Sequence, residues 1–513
     1  LGSNNKEGTP VFYVGTWGAF NVWDEVEYSM VDEKGKELKK KAKTTFAIAI
    51  EALNIEKGLI FLLDSLYKKD EVKNYGEVLR SVEKDASEFL ENVLKNSKDG
   101  NVLRKTEFFV APSVGSFVKD KASRKRLMTR CGAGDFYPIV YMKLAVALSD
   151  LLKEKRKFIV VLDISHGLNY TTALAFRALS DLVSGVNFFF EGIKLKLINS
   201  EPYDKNAGVL IGPLQIHTIL EESSGNIPRF QLSQDLKGLI KVNKKCCIEG
   251  EVGEERLKEI GEKSNNVASN FFQKYYGIEE GERWKTGVKV LASAIENGFP
   301  LLIYNFTLDD RSLSDFVKTV LDFYKDNTYA MESGGDLIIS HMVNFGKDTP
   351  SIVKILFLAE TLRDAYGISR KEEITLREFE KVKDLYKKYE PVYRRMEREY
   401  EKIRDGICDH LNSANVEGSS EKTENWKILA DIISENEEPS SNQCGANLDF
   451  GYFKRNFVAH AGVEKCSVEV SLGNASPEMC KEDKEKLKDL IFLRYSKDGK
   501  ERAIKAASEL LSS

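Results

Sequence analysis

The sequence predicts a multidomain α/β plus all-α protein, an N-terminal Rossmann-like, mostly parallel sheet followed by a C-terminal helical domain. Three observations carry this. Strand-length apolar runs alternate with helical patterns over the first 220 residues. Those runs are apolar throughout instead of alternating, as strands are in a sheet covered on both faces. From about residue 282 onward the pattern is almost wholly helical. With 513 residues, 42% of them hydrophobic, the chain has material for more than one core, and wholesale disorder is excluded.

Taken in order, strands are expected at Val11–Val14, Leu59–Leu63, Phe108–Ala111 and Phe158–Leu162. Helices are expected between them at Lys40–Leu53, Tyr75–Leu94 and Tyr137–Leu152, with another at Thr171–Val183. Strand–helix–strand order implies right-handed crossovers and parallel pairing. Two further runs, Val186–Phe190 and Val209–Leu214, follow without a helix and are read as an antiparallel pair finishing the sheet. Residues 1–8 are set aside as a processed or disordered end, which makes 9–220 the first domain. The segment 221–277 reads as a linker or small helical insert. Domain 278–513 carries helical patterns at Trp284–Asn297, Leu313–Asp326, Ile352–Tyr366, Leu376–Ile403, Trp426–Ser434, Phe453–Ala461 and Glu485–Leu511. Polar loops near 412–425 and 435–447 interrupt it.

Composition narrows the function classes. Lys+Arg 76 against Asp+Glu 80 leaves a net charge of −4, which excludes a uniformly basic nucleic-acid coat but not a local basic groove. No run reaches the roughly 18 to 20 apolar residues that span a bilayer, so no membrane partner is expected. The start lacks the basic and apolar regions of a signal peptide. Seven Cys (131, 246, 247, 408, 444, 466 and 480) are odd in number and irregularly spaced. No disulfide framework is expected from them, and the location is read as cytoplasmic. The five His form no HExxH pair and the Cys no CxxC pair, so no metal site is expected. The YRRMEREYEKIRD run reads as a solvated mixed-charge helix face.

In an open parallel sheet, ligands bind outside the carboxyl ends of the strands. Three loops there are unusual. After the first strand come Gly15, Thr16, Trp17 and Gly18, where glycines permit close backbone approach, Thr16 offers a hydroxyl and Trp17 a flat face; ordinary turn use explains the glycines equally. After the third strand comes a small hydroxyl-rich loop with Ser113. After the fourth come Ser165, His166, Gly167 and Asn169 at a helix start, a set suited to phosphate and base edges, with plain helix capping as the alternative. GxGxxG is absent, which argues against a nicotinamide-dependent oxidoreductase.

A third segment, Arg455-Asn456-Phe457-Val458-Ala459-His460, lies in the helical part. Asn456 and His460 share a helix face, and the long Arg455 side chain can bend toward them. Guanidinium and imidazole without Cys or a carboxylate pair match phosphodiester cleavage: one grips phosphate, the other moves a proton. RNA brings its own nucleophile, the 2′-OH. A surface Arg beside a packed His is the plain alternative.

DISHGLNYTT after the fourth strand together with RNFVAH near the end of a helical domain resembles the CARF–HEPN ribonucleases, the Csx/Csm-type ancillary effectors of type III CRISPR–Cas systems, in their archaeal Csx-like branch. The resemblance covers both ends of the chain and leaves about 55 residues between them unmatched. It implies a CARF domain binding cyclic oligoadenylate, cyclic tetraadenylate by preference, through Gly15, Thr16, Trp17, Ser113, Ser165, His166, Gly167 and Asn169. It also implies a HEPN domain cutting single-stranded RNA through Arg455, Asn456 and His460, without cofactor or metal, to 2′,3′-cyclic phosphate and 5′-OH ends. One imidazole cannot conveniently serve as both base and acid, so a homodimer pairing two such motifs is expected. The alternative is a non-catalytic sensor controlling a nucleic-acid-binding helical module.

Overall fold

A computed structural model describes residues 8–95, 100–119, 125–130, 133–154, 157–203, 212–234, 236, 239–243, 253–276, 283–308, 312–413, 426–433 and 449–511. The chain begins with β1 (Val11–Thr16), β2 (Val26–Val31), β3 (Glu37–Ala42), α1 (Phe46–Ala52), β4 (Ile55–Leu63), α2 (Tyr75–Leu94), α3 (Gly100–Arg104) and β5 (Thr106–Ala111). It continues with β6 (Gly115–Val118), β7 (Arg126–Arg130), α4 (Phe136–Glu154), β8 (Phe158–Asp163), α5 (Asn169–Phe189), β9 (Ile193–Ser200) and β10 (Leu214–Glu222). Next come β11 (Ile240–Val242), α6 (Glu254–Tyr276), α7 (Arg283–Asn297), α8 (Pro300–Phe306), α9 (Ser312–Asp326), β12 (Thr328–Ser333), β13 (Asp336–His341), β14 (Val343–Phe345) and α10 (Thr349–Tyr366). The last part holds β15 (Glu373–Thr375), α11 (Leu376–Leu385), α12 (Glu390–Ser413), β16 (Lys427–Ile428), α13 (Leu429–Ile433) and α14 (Phe450–Ala459). It ends with β17 (Val468–Ser471), α15 (Pro477–Glu482), α16 (Lys484–Leu490), β18 (Phe492–Tyr495) and α17 (Lys497–Leu510).

Two compact units result. One comprises Leu1–Gly225, Gly238–Ala268 and Ser314–Val353; the other comprises Asn226–Lys237, Ser269–Leu313 and Lys354–Ser513.

The first unit is built on an eight-stranded sheet in the order β3-β2-β10-β9-β8-β1-β4-β5. Strands β9, β8, β1, β4 and β5 run parallel, as both-face burial of β1 and of Gly58–Leu63 anticipates. From β1 the chain adds β4 and β5 on one side, then β8 and β9 on the other, so the order reverses between β1 and β8. Helix α2 covers the sheet through Tyr75, Val78, Val82, Ala86, Leu90 and Leu94, a stripe at helical spacing. Its start is fixed by Asn74, whose side chain accepts from the Glu77 amide at 3.0 Å.

Several expected elements differ. Val186–Phe190 is not a strand but the buried end of α5, because a short apolar run reads alike in a covered helix and a covered strand. Of the other run, residues 209–211 lie outside the described residues; the antiparallel pair is β9 with β10, and it does not finish the sheet, which continues through β2 to β3. Lys40–Leu53 divides into the end of β3 and the short α1. A second sheet, β12-β13-β7-β6, joins residues 314–353 to the first unit, although the sequence pattern grouped them with the helical part. Its hairpin turns on Gly334 and Gly335 at φ 60° and 85°, the two-residue turn that glycine makes most readily.

The second unit is helical with a four-stranded sheet, β15-β18-β17-β16. Leu376–Ile403 is two helices, α11 and α12, separated at 386–389. β18, with its alternating burial, interrupts the run at 485–511. The segment 254–276, expected as linker or insert, forms α6. Residues 1–7, 414–425 and 434–448, which take in most of both polar loops, lie outside the described residues. The cysteine expectation is corrected: Cys408 on α12 is disulfide-bonded to Cys480 on α15, and Cys466 is also half of a disulfide. Residues 72 apart in sequence become neighbours only in the fold, so spacing could not reveal them. Among the described residues, no helix is long and apolar enough to cross a membrane.

Candidate functional site

The loops after β1 and β8 flank the point where strand order reverses, the place where a parallel sheet opens a crevice. They touch: the Gly18 amide donates to the His166 carbonyl at 2.9 Å. Gly167 lies so close beneath that a Cβ there would meet Thr16 Oγ1 at 2.1 Å, so no side chain fits. Thr16 Oγ1 is fully buried and has no hydrogen-bond partner. Gly15 is still within β1, paired with Ile60 and Asp163.

Asp163, at the end of β8, holds this corner together. Its carboxylate accepts from Tyr13 Oη at 2.7 Å, from Thr45 Oγ1 at 2.6 Å and from the Ser165 amide at 2.9 Å. Burial and the Asp163 charge push the Tyr13 hydroxyl well above its usual range, so it stays a donor. Ser165 Oγ accepts from the Ser200 amide at 2.9 Å, which leaves its own proton to offer. The Thr45 amide donates to His166 Nε2 at 3.1 Å, so that nitrogen carries no proton. Burial holds the imidazole below its usual value, partly opposed by Asp163, and His166 stands as a neutral wall. Its ring stacks on Trp23 at 4.1 Å. Asn169 opens α5, exposed, beside the first free amides of that helix.

Two expected ligand residues are turned elsewhere. Trp17 is 3% exposed and packs among Phe20, Trp23, Phe89 and Phe108, so it is core and offers no free face. Trp23, six residues on, is the ring that stacks on His166, and only tertiary packing distinguishes the two. Ser113 is fully buried, its amide and hydroxyl both donating to Asp64 Oδ1 at 2.8 and 2.5 Å. Asp64 Oδ2 lies 3.1 Å from His341 Nε2, and both side chains are fully buried. Ser113 thus belongs to an internal network tying β4, β5 and the β12–β13 hairpin.

Nearby, Asp135 accepts from the Phe345 amide at 3.0 Å, while its Oδ2 is buried without a hydrogen-bond partner among the described residues. Burial pushes this carboxyl up to about 6, the amide only partly countering it. Because the folded value lies above the unfolded one, stabilisation is complete below about pH 4 and is lost as pH rises through 6. Asp135→Asn keeps the Phe345 bond and is therefore expected to stabilise the protein at pH 8 by about 2 kcal/mol, the gain vanishing towards pH 4. Thermal melts across that range check it; equal melting at pH 8 would show that the carboxylate is not penalised there.

The second cluster is on α14. Asp449 caps its start, accepting from the Tyr452 amide at 3.1 Å. Phe453 and Phe457 anchor one face in the core, with Phe457 against Phe299 at 4.8 Å. Arg502 and Lys505 lie over the rings of Phe453 and Phe450 at 4.2 and 4.1 Å. Arg455 is left exposed. His460 is the residue that ends the helix. The chain then turns through Ala461 at φ 51° and Gly462, whose carbonyl accepts from Tyr495 Oη at 2.8 Å. Left-handed backbone at an alanine is costly and is kept only because both ends of the turn are fastened.

His460 Nδ1 lies 2.9 Å from Glu399 Oε1 on α12. Glu399 is 8% exposed and His460 37%, so a buried carboxylate orients a half-open imidazole through Nδ1. Asn456 meets His460 only along the backbone, its carbonyl accepting from the His460 amide at 2.9 Å. Glu399 was missed in sequence because its helix reads as solvated. The signal was there: Val392, Met396, Tyr400, Ile403, Ile407 and Leu411 form the buried stripe, and Glu399 sits on it. Close by, Glu464 is raised by burial, with the Cys466 amide, Arg502 and His460 each pulling the other way. Among the described residues, no group of three or more His, Cys, Asp or Glu is placed to hold a metal ion.

Residues 12–202 match the CARF domain of the CRISPR system endoribonuclease Csx1 family, and residues 389–497 match its HEPN domain. The first range contains both loops at the sheet edge; the second contains Glu399, Arg455 and His460. The chain is also 24% identical over 488 residues to the CRISPR system endoribonuclease Csx1 of Methanocaldococcus jannaschii, covering 94% of this chain and 91% of that protein.

Proposed function

Because this chain belongs to the CARF–HEPN effectors of the Csx1 type, we propose that it is a CRISPR-associated endoribonuclease switched on by cyclic oligoadenylate. The observation that carries the catalytic reading is the half-open His460 imidazole held at Nδ1 by the buried Glu399 carboxylate. His460 Nε2 takes the proton of a ribose 2′-OH, and the oxygen attacks the adjacent phosphorus. The P–O5′ bond breaks, leaving a 2′,3′-cyclic phosphate, and the departing 5′ oxygen takes up a proton to become 5′-OH. Arg455 binds the phosphate and the charge that develops on it. Asn456 completes the catalytic set as a further polar group on the same helix. The nucleophile comes from RNA itself, so the step needs no metal. Two copies of the Arg455–His460 pair across a two-fold axis would provide one imidazole to accept a proton and one to give it, which is the chemical reason to expect a homodimer.

The activator is assigned to the crevice between the β1 and β8 loops. Gly15, Thr16, Gly167 and Gly18 shape its floor, Ser165 and Asn169 with the α5 amides face phosphate oxygens, and His166 on Trp23 forms an apolar wall. A cyclic tetranucleotide on a two-fold axis would meet two such crevices. The test is cleavage of labelled single-stranded RNA in EDTA, with and without cyclic tetra- or hexaadenylate. Cutting that depends on the tetramer is expected. RNA binding with no cutting under any condition would overturn the enzyme assignment in favour of a non-catalytic sensor.

A further inference from the structure

We propose that a cavity on the small sheet of the second unit binds one nucleotide of the single-stranded RNA substrate, beside the cleavage site; this rests on the ribonuclease reading above. The cavity measures about 400 Å³ and is lined by Glu372, Glu469, Arg494, Tyr495, Lys497 and Lys500. That is ligand size, with room for a base and its phosphate.

Its chemistry is that of a ribonucleotide site. Three cations against two carboxylates leave the lining with one net positive charge. Two of the cations are braced: Arg494 pairs with Glu469 at 2.8 Å across adjacent strands, and Lys500 pairs with Glu372. Arg494 also lies 3.9 Å over the Trp426 ring, which holds its guanidinium as a rigid plane. Lys497, at the first position of α17, is exposed and makes no ion pair among the described residues. A phosphate adds the negative charge this lining lacks, a guanidinium plane stacks on a base, and carboxylate oxygens accept from exocyclic amines.

Position ties the cavity to the chemistry. Tyr495, one of its walls, donates through Oη to the Gly462 carbonyl at 2.8 Å, two residues beyond His460. The next residue, Ser496, donates its amide to the Ser467 carbonyl at 2.9 Å. The cavity wall and the segment carrying His460 are thus one fastened piece, and an RNA strand held at one is held in register with the other.

The test uses full-length protein carrying His460→Ala, so that RNA is not consumed, with and without Lys497→Ala/Lys500→Ala. Binding of a labelled single-stranded RNA oligomer is titrated across salt concentrations, and thermal melting verifies the fold. Loss of both lysines at the one phosphate is expected to weaken binding about tenfold at low salt and to flatten the salt dependence by about 0.7 in log–log slope. An affinity and slope equal to those of the parent protein would overturn the proposal. Should the wild-type chain cut no RNA, the ribonuclease reading fails by that result alone, and this titration still decides whether the cavity holds RNA.

Discussion

His460→Ala is expected to lower RNA cleavage by roughly three orders of magnitude or more, and Arg455→Ala by about two to three, with activator binding intact. The half-open imidazole held by Glu399 at the end of α14 is the group of this motif suited to proton transfer. Alanine at 455 removes the exposed guanidinium of the motif. Neither side chain belongs to the packed face of the helix, which is held by Phe453 and Phe457, so folding should be spared. The double variant should be little worse than the worse single one, because the two act on the same transition state. Single-turnover cleavage with activator present, alongside an activator titration, checks both halves. Full activity in either variant, in preparations free of other nucleases, removes the assignment.

The second large effect concerns Glu399. Glu399→Ala is expected to reduce the cleavage rate about a hundredfold, since its carboxylate holds the imidazole ring in place through Nδ1. Glu399→Gln retains shape and a hydrogen bond but no charge, and its rate should fall between the two. Rate per active molecule, with kcat and KM taken separately, distinguishes positioning from mere support of α12: a structural defect lowers melting temperature and the amount of active protein but leaves kcat of the folded fraction unchanged. A kcat per folded molecule equal to that of the wild type in both variants would make Glu399 a buried partner with no part in the reaction.

Most of the first sheet was legible because its central strands are apolar on both faces, and α2 because its stripe repeats at helical spacing and is capped by Asn74. The boundaries that failed share one cause. Hydrophobic pattern does not report hydrogen bonding, which runs on unbroken through Val186–Phe189 at the end of α5 but breaks at 386–389 within the run 376–403. The β12–β13 hairpin carried a turn signal at Gly334-Gly335, yet its partner β7 lies more than 200 residues earlier in the chain, beyond the reach of local pattern.

The two parts of the chain, the crevice-forming loops and the Arg455–His460 spacing follow from the sequence alone, because each is a local arrangement set by strand ends, glycines and helical repeat. What only the tertiary structure decided is which neighbours those residues acquire. It sent Trp17 into an aromatic core, stacked Trp23 on His166, withdrew Ser113 to Asp64, joined Cys408 to Cys480 and set Glu399 against His460. Each of these depends on bringing together groups distant along the chain, and burial, not sequence spacing, fixes the partner.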